Sequence, residues 1–158
     1  MRRKITNKKT LKPDIAYNSV SVAKLINYIM ERGKKNTARK IVYGAFDIIK
    51  KDTKQDPAEV FENALRNVGP MTEIRSRRIG GANYQVPHEV QPARKLALAL
   101  RWIIDASSSK KGSGMAAKLA AELMAANKNE GDAVRKRENV HKMAEANRAF
   151  AHFAIMRK

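Results

Sequence analysis

The sequence predicts a mainly α fold of about six helices, with one projecting β-hairpin between the third and fourth and a basic arm ahead of the first. Three observations predict it. Apolar residues recur at three- and four-residue spacing in six separate stretches, the period of a helix with one buried face. That periodicity breaks once, around Gly80-Gly81, where two extended runs flank a pair that tolerates positive φ. Residues 1 to 17 are rich in Lys and Arg, poor in periodic apolar residues and interrupted by Pro13, so they bury too little to offset their ordering entropy. At 158 residues the chain reads as one domain, able to bury roughly 68–70% of its unfolded surface without disulfide or metal staples.

The organisation is an arm over 1–17, a single helical domain over 18–153 with its hairpin at 72–90, and a fraying tail over 154–158. The first helix begins after Ser19 with Val22, Leu25, Ile26, Ile29 and Met30 on one face, and Gly33 is placed to end it. Asn36 or Thr37 caps the second, whose stripe is Ala38, Ile41, Val42, Ala45, Ile48 and Ile49, before the polar stretch Lys50 to Gln55. The third start is the clearest. Asp56 caps, Pro57 suits the first helical position, Glu59 completes a capping box and Gly69-Pro70 closes the far end. Val60, Phe61, Ala64, Leu65 and Val68 form its buried stripe.

A two-residue turn at Gly80-Gly81 sets Arg77 opposite Tyr84, Arg75 opposite Val86 and Arg78 opposite Asn83. Neither face of that ribbon reads as core, and an isolated two-stranded ribbon is marginal in water, so it is expected to project and be held by a partner. Helix returns after Pro92 with Leu96, Ala99, Leu100, Ile103 and Ile104 inward and Trp102 as the single Trp. Ser107 to Gly114 reads as a flexible loop. The fifth helix, from about Met115 to Ala126, aligns Ala116, Leu119, Ala120, Leu123 and Met124. The sixth starts near Asp132 and carries Val140, Met143, Ala144 and Phe150 on its apolar side.

Charge narrows the function. Thirty-three Lys and Arg oppose 15 Asp and Glu, a net +18, and the pI is near 10.4. Such an excess points to an anionic partner, nucleic acid first. The absence of Cys excludes disulfide frameworks, zinc ribbons and thiol catalysis. The basic start runs into Thr, Asn and Lys rather than an apolar stretch, so no secretory signal is expected. The run Leu96 to Ile104 contains Arg101 and falls short of the roughly 20 apolar residues of a membrane helix, which points to a cytoplasmic protein with no membrane partner.

No catalytic residue, metal site or cofactor is assigned. Gly33-Lys34-Lys35-Asn36-Thr37 lacks the upstream glycine and the Lys-Ser/Thr pair of a phosphate-cradling loop. His141 and Glu145 lie one helical turn apart, with His152 further on, but no Cys or clustered carboxylate joins them. They fit a solvated pair or phosphate contacts better. His88-Glu89 does not continue into a zinc-protease pattern.

The basic clusters are the candidate site. They comprise the arm (Arg2, Arg3, Lys4, Lys8, Lys9, Lys12), the first helix and its exit (Lys24, Arg32, Lys34, Lys35) and the ribbon (Arg75, Arg77, Arg78, with Gly80, Gly81 and Tyr84). The start of the fourth helix adds Arg94, Lys95 and Arg101, and the sixth adds Arg135, Lys136, Arg137, Lys142 and Arg148. Lys and Arg neutralise phosphates and release counterions, giving affinity without base reading. DNA-binding regulators concentrate charge on one recognition helix. Here it is spread over an arm, a ribbon and several helices, which suits a folded RNA; a basic DNA-binding or nucleoid-associated protein is the alternative.

Three stretches carry a family resemblance. Ser76-Arg-Arg-Ile-Gly-Gly-Ala-Asn-Tyr-Gln-Val-Pro87, continuing through Glu89-Val90 to Ala97-Leu-Ala-Leu-Arg-Trp-Ile103, closely resembles bacterial small-subunit ribosomal protein seven. So do Arg137-Glu-Asn-Val-His-Lys-Met-Ala-Glu-Ala-Asn-Arg-Ala-Phe-Ala-His-Phe153 and the shorter Gly33-Lys-Lys-Asn-Thr-Ala38. The resemblance implies a bundle of six helices with a long hairpin between the third and fourth. It implies a structural, non-enzymatic constituent of the small ribosomal subunit that binds the 3′ major domain of 16S ribosomal RNA and nucleates head assembly. Its hairpin would lie near the exit-site tRNA and the mRNA path, and its C-terminal region near the neighbouring protein eleven. Two positions depart from the family: Gln91 stands where an Arg is common, and the C-terminal tail is short.

Overall fold

In the computed structural model, which describes residues 11–154, the elements run α1 (Val20–Ile29), α2 (Lys35–Thr53), α3 (Pro57–Val68), β1 (Thr72–Ile79), β2 (Ala82–Glu89), α4 (Pro92–Ser109), α5 (Met115–Asn127) and α6 (Asp132–Ala146). A 3₁₀ segment, Arg148–Ala154, follows. Capping chemistry sets the starts of two helices. The Ser19 hydroxyl accepts the Val22 N–H at 3.5 Å, and Asp56 accepts the Ala58 N–H at 3.1 Å with Pro57 opening α3. Gly69 closes α3 as expected.

The Ala-rich α5 lies at the centre and packs against α2, α3, α4 and α6. Small side chains permit this: a Cβ on Gly44 would already be 3.5 Å from that of Ala116. Leu119, Ala120, Leu123 and Ala126 are fully buried there, facing Phe46, Ile49, Phe61, Leu100 and Ile103 of the same core. Phe46 and Phe61 meet with ring centroids 5.8 Å apart. No helix of the described residues is long and apolar enough to cross a membrane.

Several local expectations are corrected. Helix α1 ends at Ile29 with Met30 as its cap, and Gly33 (φ +75°) turns the chain afterwards beside Arg32 at φ +50°. Helix α2 starts at Lys35, one to two residues before the expected caps, and has no side-chain cap. Ser107 to Ser109 belong to α4. Their hydroxyls donate back to the carbonyls of Ile103 (2.7 Å), Asp105 (3.0 Å) and Ala106 (2.9 Å), satisfying the serines within the helix. On α6 the buried residues are Ala133, Val134 and Ala144, Met143 is exposed, and Phe150 falls in the 3₁₀ segment. The last part of the expected arm meets the core. Asp14 is buried, accepts the Tyr43 hydroxyl at 2.9 Å, and is followed by Tyr17, whose ring lies edge-on to Phe46 at 4.9 Å.

The hairpin has the expected register, Arg77 opposite Tyr84 and Arg75 opposite Val86. Gly80 and Gly81 turn it at φ +57° and +92°, the double positive φ that a tight two-residue turn requires. It does not project freely. One face of its base packs on α6 and its second strand packs on the 3₁₀ segment, burying Val86 and Glu73 completely or nearly so. The opposite face and the tip, with Ser76, Arg78, Asn83 and Gln85, are exposed, and on the packed face Arg75 reaches solvent beyond Glu73.

Candidate nucleic-acid interface

Of the basic residues singled out, Arg2, Arg3, Lys4, Lys8 and Lys9 lie outside the described residues, as does the tail beyond Ala154. The others lie on α1, the start of α2, the ribbon, α4 and α6, with Lys12, Arg32 and Lys34 in connecting segments, and Arg148 falls in the 3₁₀ segment, not on the sixth helix as expected. Glu73, second residue of β1 at the hairpin's base and nearly buried, is the organising group. Arg75 donates to its Oε1 (2.7 Å from Nε) and Arg94, from the first turn of α4, to its Oε2 (3.1 Å). Burial alone would raise the Glu73 pKa, but the hydrogen bonds and charges of the two arginines outweigh it and hold the carboxyl below its ordinary value. One carboxylate thus holds two guanidinium groups side by side while leaving both substantially exposed, 60% and 44%.

The adjacent cluster joins α4 to α6. Gly69 lets the Lys95 stem lie across it, since a Cβ there would fall 2.7 Å from Lys95 Cε. Lys95 and Arg137 both act on His141. Arg137 is only 19% exposed. It donates to the Asn67 carbonyl and to Asn129 Oδ1 (3.1 Å), so it ties α6 to the end of α3 and is not a free surface cation. Asn67 in turn donates its side-chain amide to the Ala126 and Asn127 carbonyls (2.9 and 3.1 Å).

Further along α4, Arg101 sits 5.8 Å from the ring centroid of Tyr28 on α1, a cation–π contact that places Lys24, one turn before Tyr28, on the same side. Arg32, Lys34 and Lys35 are exposed around the α1–α2 turn, and Lys12 is exposed ahead of it. On α6, Lys136 and Lys142 are exposed. Arg135 and Arg148 make exposed pairs with Asp132 (3.6 Å) and Glu145 (3.3 Å), contacts weak enough to exchange for another anion.

Two expectations change at the ribbon. Tyr84 is not an open stacking surface: its ring lies 5.3 Å from Phe150 and 5.6 Å from Phe153. Arg77 donates to the Phe153 carbonyl. Arg78 and the Gly80-Gly81 tip remain exposed. The aromatic clasp from Phe150 and Phe153 was not read from sequence, nor was Glu73; an acid two residues before Arg75 on a strand, hence on the same face, is the local signal for the latter.

His141 is likewise not a solvated partner of Glu145. Its Nε2 accepts the Met71 N–H at 3.1 Å, bonding α6 to the foot of the ribbon. Burial first, then the charges of Arg137 and Lys95, lower its pKa from the ordinary 6.5. The folded state therefore binds a proton less readily than the unfolded chain. Stability from this group is complete above about pH 6.5 and is lost as pH falls below it, through the depressed folded pKa. A protonated ring has no lone pair to offer Met71. His141→Gln is expected to flatten the fall in melting temperature between pH 7 and 5; an unchanged slope would remove His141 as its source.

No group of three or more His, Cys, Asp or Glu suited to a metal occurs among the described residues. The arrangement is a charged surface with exposed cations on the ribbon (Arg75, Arg78), α4 (Arg94, Arg101) and α6 (Lys136, Lys142). Comparison with known proteins gives that face a context. The family described as ribosomal protein S7p/S5e matches residues 1–148. The chain is 57% identical to the small ribosomal subunit protein uS7 of Thermotoga maritima over 97% of this chain and 99% of that protein. It is 56% identical to the uS7 of Caldanaerobacter subterraneus over 92% and 94%, and 51% identical to that of Marinobacter nauticus over 96% and 97%. On its family match and on identity sustained across nearly its whole length, the chain belongs to the ribosomal protein S7p/S5e family.

Proposed function

We propose that the protein is a cytoplasmic constituent of the small ribosomal subunit that binds the 3′ major domain of 16S ribosomal RNA and nucleates assembly of the head. The observation that carries this reading is the convergence of cations from the ribbon (Arg75), α4 (Arg94, Lys95, Arg101) and α1 (Lys24) on connected surface, in a chain whose full-length relatives carry the name small ribosomal subunit protein. A face built from several elements matches a folded RNA better than one groove of a duplex. Within this reading the exposed Arg78 and Gly80-Gly81 tip approach the exit-site tRNA and the mRNA path, and the C-terminal segment approaches protein eleven.

Binding to an isolated 16S 3′ domain, measured against duplex DNA of equal charge over a salt series, tests it. The logarithm of affinity is expected to fall linearly with the logarithm of salt, by about 0.7 per phosphate contact on single strands and about 0.9 on duplex, with the RNA bound more tightly at each salt. A flat salt response would contradict an electrostatic interface. Equal affinity for DNA would favour a general nucleic-acid binder.

A further inference from the structure

Helix α6 stops without a stop signal. No Gly or Pro occurs between Asp132 and Ala154, and Ala149, Ala151 and Ala154 are the strongest of helix formers. The α pattern nevertheless runs only to Asn147, whose N–H donates to the Met143 carbonyl at 3.1 Å, and the next turn tightens, with the Phe150 N–H donating to the Asn147 carbonyl at 3.0 Å. The 3₁₀ segment that follows, Arg148–Ala154, spans seven residues, about twice the usual run of that poorer hydrogen-bonding geometry. What holds it is the ribbon. Tyr84 on β2 meets Phe150 and Phe153 at 5.3 and 5.6 Å, and Arg77, opposite Tyr84, donates to the Phe153 carbonyl. No residue of the segment is buried, so the contacts that bend it lie at the surface and can part without opening the core.

We propose that residues 148–154 are a strap with two states. Closed, they form the 3₁₀ segment and brace β2 against the end of α6. Open, the same residues continue α6 by i→i−4 bonding, Phe150 and Phe153 leave Tyr84, and the ribbon is held only at its base, where β1 packs on α6, Val86 is buried and the Met71 N–H donates to His141. The two states set opposing terms against each other. Closing gains the aromatic contacts and the Arg77 bond. Opening regains α geometry in an Ala-rich stretch and keeps the Glu145–Arg148 pair (3.3 Å), whose i,i+3 spacing suits either helix. The strap thereby governs how far the ribbon can swing from the helical body, and it does so in the free protein, independently of any RNA.

The chain holds four Phe, so fluorophenylalanine labelling of the intact protein gives four fluorine resonances, with Phe46 and Phe61 reporting the buried core and Phe150 and Phe153 the strap. An open state populated at about 1–10% is expected to show as exchange at Phe150 and Phe153 and not at Phe46 and Phe61. Tyr84→Ala is expected to raise the open-to-closed ratio about tenfold, as loss of two aromatic contacts implies. The α-carbon chemical shifts of 148–154 are then expected to move toward α-helical values, and the amide order parameters of Gly80 and Gly81 to fall from about 0.85 toward 0.6. Tyr84→Leu, which stays apolar, is expected to give the same changes at smaller amplitude, and it carries the test if the Phe46 and Phe61 resonances show that Tyr84→Ala has lost the fold. Native resonances without exchange, together with unchanged strap shifts in both variants, would make the segment a fixed part of the fold and overturn the proposal. Coil rather than α-helical shifts over 148–154 in the variants would overturn it as well, since the segment would then fray and have no second helical state. Tip amides that keep their order while the strap opens would overturn its role as a brace.

Discussion

Replacing Lys110 by Met is expected to cost about 3 kcal/mol of folding stability, although Lys110 stands in a surface loop. Its partner, Glu122, is completely buried in the middle of α5. One carboxylate oxygen accepts the Ala133 N–H of the first turn of α6 at 3.0 Å, and the other pairs with the Lys110 ammonium. Breaking one side of a buried pair strands a charge, typically at about 3–5 kcal/mol; the 34% exposure of Lys110 argues for the lower end. Glu122→Gln keeps an acceptor for Ala133 and removes the charge, so a loss of about 1 kcal/mol is expected. Combining the two is expected to cost less than Lys110→Met alone, because no charge is then left behind. The same carboxylate explains Gly131: at φ +97°, a Cβ there would sit 2.8 Å from Glu122 Oε1. Urea unfolding of the three variants checks the ordering, and a Lys110→Met midpoint equal to the native one would show that Glu122 is satisfied without it.

The parts of the fold legible in the sequence are those whose signals are local. Asp56-Pro57 and Gly69 delimit α3 because a cap, a fixed φ and a helix stop act within a few residues. Gly80-Gly81 fixes the hairpin register for the same reason. What escaped depends on partners distant in sequence. Val86 reads as one apolar residue in a polar strand, yet it is fully buried because α6 and the 3₁₀ segment cover that face. The apolar stripe of α6 holds only in part, at Ala144, because that helix meets the end of α3 and the foot of the ribbon through Arg137 and His141, polar groups that pair with Asn67 and Met71 70 residues away in the chain. The cations of the site were legible as a list. Which are held down could not be read, since neutralisation of Arg75 and Arg94 runs through Glu73, and Glu122 looks like any exposed helix acid until the elements around α5 are assembled.

Arg78→Ala and Arg77→Ala are expected to separate, and together to weaken binding to the 16S 3′ domain by at least about tenfold, which needs only about 1.4 kcal/mol. Arg78 is exposed near the tip and opposite Asn83. A charge-assisted bond from it to a phosphate contributes on the order of 1.5–3 kcal/mol, and its loss leaves the core untouched, so melting is expected to stay native. Arg77 faces the other way. It donates to the Phe153 carbonyl beside the Tyr84, Phe150 and Phe153 rings, so its removal is expected to loosen the C-terminal segment, lowering the melting temperature as well as the affinity. Tyr84→Ala is expected to resemble Arg77→Ala in stability, because each aromatic pair contributes about 0.5–1.5 kcal/mol beyond its buried area, whereas Tyr84→Phe keeps the ring and is expected to be mild. Circular dichroism melts alongside filter binding resolve the two roles. If Arg78→Ala binds as tightly as the native chain while Arg77→Ala loses affinity only in proportion to its unfolded fraction, the ribbon is a structural brace and the interface lies on α4 and α1 without it.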